Sequence, residues 1–288
     1  MKLKKMEVSV STFMTYRSKF RFFYLYIEEK MISNKPATYY TNEIIIDFLR
    51  HLIEKKGLSR STLKQYEELL HNFFKFLKTK RVIKENPVFD IPKMGIIRDK
   101  APAAIPQYMR LLLQNEIEPK DPQLWMFVCF MYYMAIRPGV ELRFMRLNQI
   151  NYYSKTIIIY SDTSKNSETR AIDIPDKLYS LIVDKWELHT YNQNLYVFGK
   201  YGIPGEGHLS KNNMYNRHVV YRDKLRLPKS VTLYSWKHSG AQELADNGAS
   251  IYEIQRHLRH RDITTTEMYL KKRIGQRSNY IKHNFPSI

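Results

Sequence analysis

The chain has 288 residues, 43% of them hydrophobic, and is therefore long enough to bury one large core or two smaller ones rather than remain disordered. It carries 47 Lys and Arg against 28 Asp and Glu, which gives a formal net charge of +19. Residues 1–100 contain 21 basic and 11 acidic side chains, and residues 101–288 contain 26 basic and 17 acidic side chains. Such an excess in both halves favours a polyanionic partner. On charge alone, nucleic acid, an anionic membrane surface and simple solubility all remain open.

The composition also argues against several classes of protein. Cys129 is the single cysteine, so no internal disulfide can form, which is typical of a reducing cytoplasm. The longest apolar run, residues 124–136, is too short to cross a bilayer and indicates a buried helix. The N-terminal lysines have no apolar segment behind them, so we expect no export and no membrane association.

Apolar residues recur at helical spacing in three N-terminal segments, 9–31, 41–56 and 59–80. Gly57 can end the second of these helices, and Ser59 or Ser61 can begin the third. The pattern predicts a small helical bundle.

Residues 85–106 contain four prolines and a glycine, which interrupt any periodic pattern. Such a composition is typical of an interdomain linker. We therefore expect a boundary near residue 95, between domains formed by residues 1–95 and 96–288.

The first part of the second domain is predicted to be helical and then to change to strands. Residues 107–115 and 122–135 predict helices, and a third helix is expected to begin at or after Pro138. Residues 155–175 combine a β-branched run, a polar turn and an alternating stretch, which predict a hairpin with Lys165 at its tip.

Two further helices are predicted towards the C-terminal end, from about 235 to 247 before Gly248, and from a cap at Ser250 onwards. The sequence thus predicts a mainly α (α+β) protein. Its N-terminal part is expected to be a helical bundle, and its C-terminal domain to be mostly helical with a small antiparallel sheet.

The second domain contains the groups that phosphodiester exchange would need. A protein nucleophile requires a hydroxyl that attacks phosphorus, cations that neutralise the transition state and an acid for the leaving oxygen. Arg137, Lys165, Lys237, His260 and Tyr269 could supply them. Each also has an ordinary explanation, since a helix-end arginine can pair with a carboxylate, a hairpin lysine can be solvated, and the chain has 22 tyrosines. Only their combination indicates this chemistry.

A metal centre is the competing interpretation of the histidines. His257 and His260 are three residues apart, a spacing that can bind a metal, but no cysteine and no evident third ligand accompany them. We therefore expect neither a metal nor another cofactor.

Three segments resemble, in order and spacing, the three conserved regions of the tyrosine recombinases, also called phage integrases: "AIRPGVEL", "SKNSETRAIDIP" and "YSWKHSGAQELADNGASIYEIQRHLRHRDITTTEMYLK". Lys237 and His260 are 23 residues apart, and His260 and Tyr269 nine, which is similar to the usual spacing in that family. The resemblance extends over the chain from about residue 9, because the helical first domain is similar to the family's core-binding domain.

The resemblance implies a clamp around double-stranded DNA, with a core-binding domain on one face and a catalytic domain on the other. It implies that Tyr269 attacks the scissile phosphate to form a 3′-phosphotyrosyl link. It further implies that Arg137 and Lys237 neutralise the phosphate oxygens and that Lys165 protonates the leaving 5′ oxygen. His260 is expected to hydrogen-bond the phosphate or to carry the proton of Tyr269.

The chain departs from the family's pattern in several places. The His-x-x-Arg motif is replaced by Tyr234 and Lys237, which keeps the charge and loses the bidentate geometry of arginine. Glu141 is separated from Arg137 by one residue more than is usual in the family. No arm-binding domain is expected. Arg259 and Arg261 are expected to contact the DNA backbone or solvent.

The function implied is that of a site-specific DNA recombinase, either a mobile-element integrase or a simpler Xer-like enzyme. We expect a homotetramer on paired DNA sites, and accessory DNA-bending proteins are compatible with it. Two alternatives remain open: a DNA-binding module of the same fold with degraded catalysis, and an enzyme similar to type IB topoisomerases. The separate core-binding domain disfavours the second of these.

Overall fold

The computed structural model describes residues 8–96, 104–160 and 169–270, and the chain divides into two compact units, Met1–Lys100 and Ala101–Ile288. The predicted fold class is confirmed, because the described residues are mainly helical and include one small antiparallel sheet. The two units have separate hydrophobic cores.

The first unit contains the three predicted helices. They are α1 (Val10–Glu29), α2 (Asn42–Lys56) and α3 (Arg60–Thr79), with a 3₁₀ turn at Ala37–Tyr39 between the first two. Their apolar faces meet in a core in which Phe48 and Leu70 are almost fully buried. Gly57 ends α2 in the left-handed conformation, with φ of 56°, and Ser59 begins α3, as predicted.

The second unit contains the other helices of the described part of the chain. They are α4 (Gln107–Ile117), α5 (Pro122–Met134), α6 (Asp176–Ser180), which continues as a π turn over Leu181–Lys185, α7 (Asn213–Lys224), α8 (Ser235–Asp246), α9 (Ile251–Leu258) and α10 (Ile263–Leu270). The predicted helices at 107–115, 122–135 and 235–247 and the helix after Ser250 are confirmed. The apolar pattern of the sequence does not predict α6, α7 or α10.

The sheet has the strand order β1 (Ile150–Asn151), β2 (Thr156–Ile159) and β3 (Arg170–Asp173), and both pairs are antiparallel. Thr156 lies opposite Asp173, and Ile159 lies opposite Arg170, so β2 and β3 form the predicted hairpin. Its tip, including Lys165, lies outside the described residues.

The third helix expected at or after Pro138 is wrong. The segment instead forms 3₁₀ turns at Leu142–Phe144 and Leu147–Gln149. Its backbone N–H groups bond elsewhere: those of Leu147 and Asn148 donate to the carbonyls of Leu195 and Gln193 at 3.0 and 2.9 Å. The buried apolar side chains Leu142, Met145 and Leu147 therefore pack from an irregular segment, although their spacing is similar to that of a helix.

Helix α5 lies at the centre of the second unit, and most of its side chains are buried. Helix α8 packs closely on it at Gly240, where an added Cβ would lie 1.9 Å from the Tyr132 carbonyl oxygen. Among the described residues, no helix combines the length and the apolar character needed to cross a membrane. The packing of α5 and α8 fixes the end of α5 against the start of α8, where the candidate site lies.

Candidate active site

Five of the six predicted site residues lie in described parts of the second unit. Each of the five lies in or next to one of the helices α5, α8, α9 and α10. Arg137 follows α5, whose last turn is closed by a residue in the left-handed conformation. Tyr234 caps α8, and Lys237 lies in its first turn. His260 follows α9, and Tyr269 is near the end of α10. Lys165, the sixth, lies outside the described residues.

A buried carboxylate holds Arg137 in place. The side chain of Glu141 is fully buried, and its two oxygens accept hydrogen bonds from the guanidinium of Arg137 at 2.5 Å and from the backbone N–H of Arg137 at 2.9 Å. A charge-assisted contact of this kind fixes both the backbone and the head group of the arginine. Glu141 thus buttresses Arg137, despite its displaced position in the sequence.

Arg259 also contacts this carboxylate, and the expectation that it contacts DNA or solvent is wrong. Arg259 is only 5% exposed, and its guanidinium donates to Glu141 Oε2 at 2.7 Å and to the Ala135 carbonyl at 3.2 Å. The physical reason is the turn after α9, which directs this side chain inwards, whereas Arg261 is exposed.

Lys237 and His238 are buried in the first turn of α8, with exposures of 1% and 7%. The charge of the buried Lys237 acts on its neighbours, since it helps to lower the pKa values of His238, His257 and His260. His238 lies between two phenol rings, with ring centroids 4.0 Å from Tyr269 in a stacked arrangement and 5.4 Å from Tyr234.

The hydroxyl of Tyr269 points towards the start of α8. It donates a hydrogen bond to the Tyr234 hydroxyl at 3.2 Å. Burial raises the pKa of Tyr269 well above its usual value, and the neighbouring Tyr234 adds to this, while the charge of Arg137 opposes it. Tyr269 is therefore a neutral phenol within the electrostatic influence of Arg137.

His260 stands next to the same phenol. Its ring centroid lies 5.1 Å from that of Tyr269, and its Nδ1 is 3.0 Å from Thr266 Oγ1 on α10. Burial lowers the pKa of His260 to about 4, with further contributions from the charges of Lys237, Arg137 and Arg259. The imidazole is therefore neutral at pH 7 and can act as a hydrogen-bond partner or a proton acceptor.

The side chain of Tyr269 contacts Tyr234, His238 and His260, and the charges of Arg137 and Lys237 act on this group through the pKa values of Tyr269 and His260. Three residues that the prediction did not place in the site accompany the predicted ones: Glu141, His238 and Arg259. An acidic residue so close to Arg137 was a usable signal for Glu141. The burial of Arg259 could not be predicted, because a left-handed turn at a residue other than glycine is not evident from a sequence.

The described residues contain no group of three or more His, Cys, Asp or Glu side chains placed to hold a metal ion. The site that they form is rich in cations and phenols. Fixed cations beside a hydroxyl can stabilise the negative charge that develops when an oxygen attacks phosphorus.

The chain belongs to the phage integrase family, whose model matches residues 106–274. Residues 45–87 match the family's N-terminal SAM-like domain. The protein is accordingly a tyrosine-type site-specific recombinase.

Curated relatives of similar length agree with this assignment. The chain is 24% identical over 272 residues to a tyrosine recombinase of Thermosipho africanus (strain TCF52B), covering 91% of this chain and 89% of that protein. It is 25% identical over 291 residues to the tyrosine recombinase XerD of Rickettsia prowazekii (strain Madrid E), covering 93% and 89%.

Solved structures share the fold. The Tn1549 transposon integrase in complex with circular intermediate DNA matches with a TM-score of 0.72 at 14% identity, over 92% of this chain and 91% of that chain. A lambda integrase dimer bound to a COC′ core site matches with a TM-score of 0.75 at 15% identity, over 99% and 94%.

Proposed function

We propose that Tyr269 is the nucleophile of a DNA strand-cleavage and strand-joining reaction carried out at this site. The observation that carries the proposal is the convergence of its phenol with cations from three other segments: Arg137, three residues beyond α5, Lys237 in the first turn of α8, and Arg259 in the turn after α9. Arg137 influences the pKa of Tyr269, and both Arg137 and Lys237 influence that of His260. A pocket of this kind suits one phosphodiester.

In the proposed reaction the Tyr269 oxygen forms a bond to phosphorus, and the bond from phosphorus to the 5′ oxygen breaks. The DNA 3′ end is then held as a phosphotyrosine. The bond energy is conserved, so that a 5′ hydroxyl of another strand can reverse the step and release the phenol. Arg137 and Lys237 neutralise the charge on the non-bridging oxygens in the transition state.

Proton transfer accompanies both bond changes. The phenol proton of Tyr269 is already directed at the hydroxyl of Tyr234, and the neutral ring of His260 is nearby. Either group can take part in removing this proton, with His260 as the base that is neutral at pH 7. We propose that Lys165, which lies between β2 and β3 in the sequence, gives the proton to the leaving 5′ oxygen.

We further propose that the partner is double-stranded DNA and that the N-terminal domain of residues 1–95 binds it, while residues 96–288 carry out catalysis. The positive charge of both parts and the SAM-like match at 45–87 support this division. Pairing of two sites requires a homotetramer on DNA, with accessory DNA-bending proteins as compatible partners. Such an enzyme works on a mobile element in the cytoplasm.

The experiment that tests the nucleophile traps the covalent intermediate. The substrate is a pool of duplexes, each nicked beside a randomised core so that the cleaved fragment diffuses away, together with DNA that flanks the gene. We expect a protein–DNA adduct that resists denaturant in the wild type and none in Tyr269→Phe. Tyr252→Phe, an exposed tyrosine of α9, is the matched control and forms the adduct.

Other outcomes assign other functions. An adduct that persists in Tyr269→Phe moves the nucleophile elsewhere. Binding of the duplex pool without any adduct favours the DNA-binding module with degraded catalysis. Relaxation of supercoiled DNA without preference for any trapped sequence favours the topoisomerase-like alternative.

A further inference from the structure

Arg259 occupies a backbone position that disfavours an arginine. It caps the C-terminal end of α9 with φ of 56° and ψ of 43°, the left-handed conformation that glycine adopts most readily. Because glycine would suit this backbone better, what arginine adds here lies in the contacts of its side chain. The side chain, and not the backbone turn, is therefore where a role is to be sought.

The guanidinium of Arg259 reaches the carboxylate that also holds Arg137. Glu141 Oε2 accepts from Arg259 at 2.7 Å, and Glu141 Oε1 accepts from Arg137 at 2.5 Å. All three side chains are mostly or fully buried, with side-chain exposures of 5%, 15% and 0% for Arg259, Arg137 and Glu141. One carboxylate thus orients two guanidinium groups, and Arg259 restricts the position that Glu141 offers to Arg137.

Arg259 also adds positive charge to the pocket. Among the four side chains of Arg137, Lys237, Arg259 and Glu141 there are three cations and one anion. This positive excess opposes the charge of a pentacoordinate phosphorane, which carries one negative charge more than the phosphodiester. Without Arg259 this excess would fall to one. The chain carries lysine at 237, where the family motif has arginine, and Arg259 gives the pocket a second guanidinium.

We propose that Arg259 is a positioning residue for strand cleavage, which acts through Glu141 to hold Arg137 against the scissile phosphate. This inference rests on the proposed function of Tyr269. It concerns the rate of the chemical step, because Arg259 is only 5% exposed and its guanidinium contacts Glu141 and the Ala135 carbonyl.

The test measures single-turnover cleavage of a trapped-site nicked duplex and the dissociation constant of the same duplex. Arg259→Gly is the main variant, because glycine suits the left-handed turn and removes only the side chain. We expect cleavage to slow by on the order of 10- to 100-fold, as for outer groups that orient catalytic ligands. The dissociation constant is expected to change less than about 3-fold. Arg261→Gly, at an exposed neighbour, is the matched control and keeps the wild-type rate.

A double-mutant cycle separates positioning from a general structural role. If Arg259 acts through Glu141, the losses from Arg259→Gly and Glu141→Gln are non-additive, so the double variant is about as slow as Glu141→Gln alone. Additive losses, or a wild-type rate in Arg259→Gly, overturn the inference. Absence of an adduct in the wild type overturns the proposed function instead.

Folding of the variants is followed by near-UV circular dichroism. Should Arg259→Gly not fold, Arg259→Lys and Arg259→Gln take its place, because the first keeps the charge and the second keeps only a neutral donor. The expected order of cleavage rates is wild type, then Arg259→Lys, then Arg259→Gln. Equal rates in all three contradict a role for the guanidinium.

Discussion

At the residue scale, the site depends on side chains that are buried although they are polar. Glu141, Lys237 and Arg259 are each at most 5% exposed. Motif spacing is enough to propose Lys237 and the partly buried Tyr269 as site residues. It could not assign Arg259, since neighbouring residues such as Arg261 have the same chemistry and only the left-handed turn separates a buried guanidinium from an exposed one.

Four buried or half-buried histidines make the stability of the fold depend on pH. Burial lowers the pKa of each of them to about 4, with nearby cations contributing, from a usual value of 6.5: His218, His238, His257 and His260. Between these two values the unfolded chain binds more protons than the folded one, so the free energy of unfolding rises with pH. This stability is fully present above pH 6.5 and is lost as the pH falls towards 4.

We therefore expect the urea concentration at the midpoint of unfolding to decrease when the pH is lowered from 7.5 to 5. Each histidine contributes at most about 1.4 kcal/mol per pH unit to the change in the free energy of unfolding. His218→Gln is the matched variant, since an amide oxygen can still accept from Trp236 Nε1, which donates to His218 Nε2 at 3.1 Å. It should lower stability at pH 7.5 and flatten the slope of unfolding free energy against pH. An unchanged slope would contradict the lowered pKa of His218.

At the element scale, helices with an apolar stripe can be predicted from the sequence, and helices without one cannot. Helix α7 buries Met214, His218 and Arg222, which are four residues apart, so two of its three buried positions are polar and no hydrophobic period is visible. Helix α10 contains three consecutive threonines, which have low helix propensity, and it depends on contacts such as that of Thr266 with His260. Tertiary contacts, and not local pattern, determine both helices.

The packing of α8 on α5 brings Tyr234 and Lys237 near Arg137, and it requires a residue without a side chain at 240. An alanine Cβ there would lie 1.9 Å from the Tyr132 carbonyl oxygen, so Gly240→Ala must separate the two helices. We expect the free energy of unfolding to fall by at least about 2 kcal/mol, as for overpacked cores. Cleavage of the nicked duplex should also slow.

The control for this substitution is Gly139→Ala, because a Cβ at Gly139 would meet no atom within 4 Å. Urea denaturation of the two variants gives the comparison. Gly139→Ala should change the free energy of unfolding by less than about 0.5 kcal/mol. Equal stability of both variants would show that α5 and α8 adapt without cost at this contact.

At the scale of the whole molecule, the sequence predicted fold class well because composition and periodicity are properties of the entire chain. The domains of residues 1–95 and 96–288 stay a prediction as functional units. What the whole molecule adds to the site is charge: the formal net charge is +19, and residues 1–100 carry 21 basic against 11 acidic side chains. This charge is far larger than one scissile phosphate needs, and a charge of this size favours binding along a polyanionic backbone.

Binding of DNA is therefore expected to weaken steeply with salt. Neutralising even about six phosphates releases enough counterions to lower affinity roughly a thousandfold between about 50 and 200 mM salt. Tyr269→Phe is the protein for this measurement, because it keeps every cation and cannot trap the duplex covalently. Fluorescence anisotropy over this salt range gives the slope of log affinity against log salt. A flat response would mean that the positive charge of the two units does not contact the phosphate backbone.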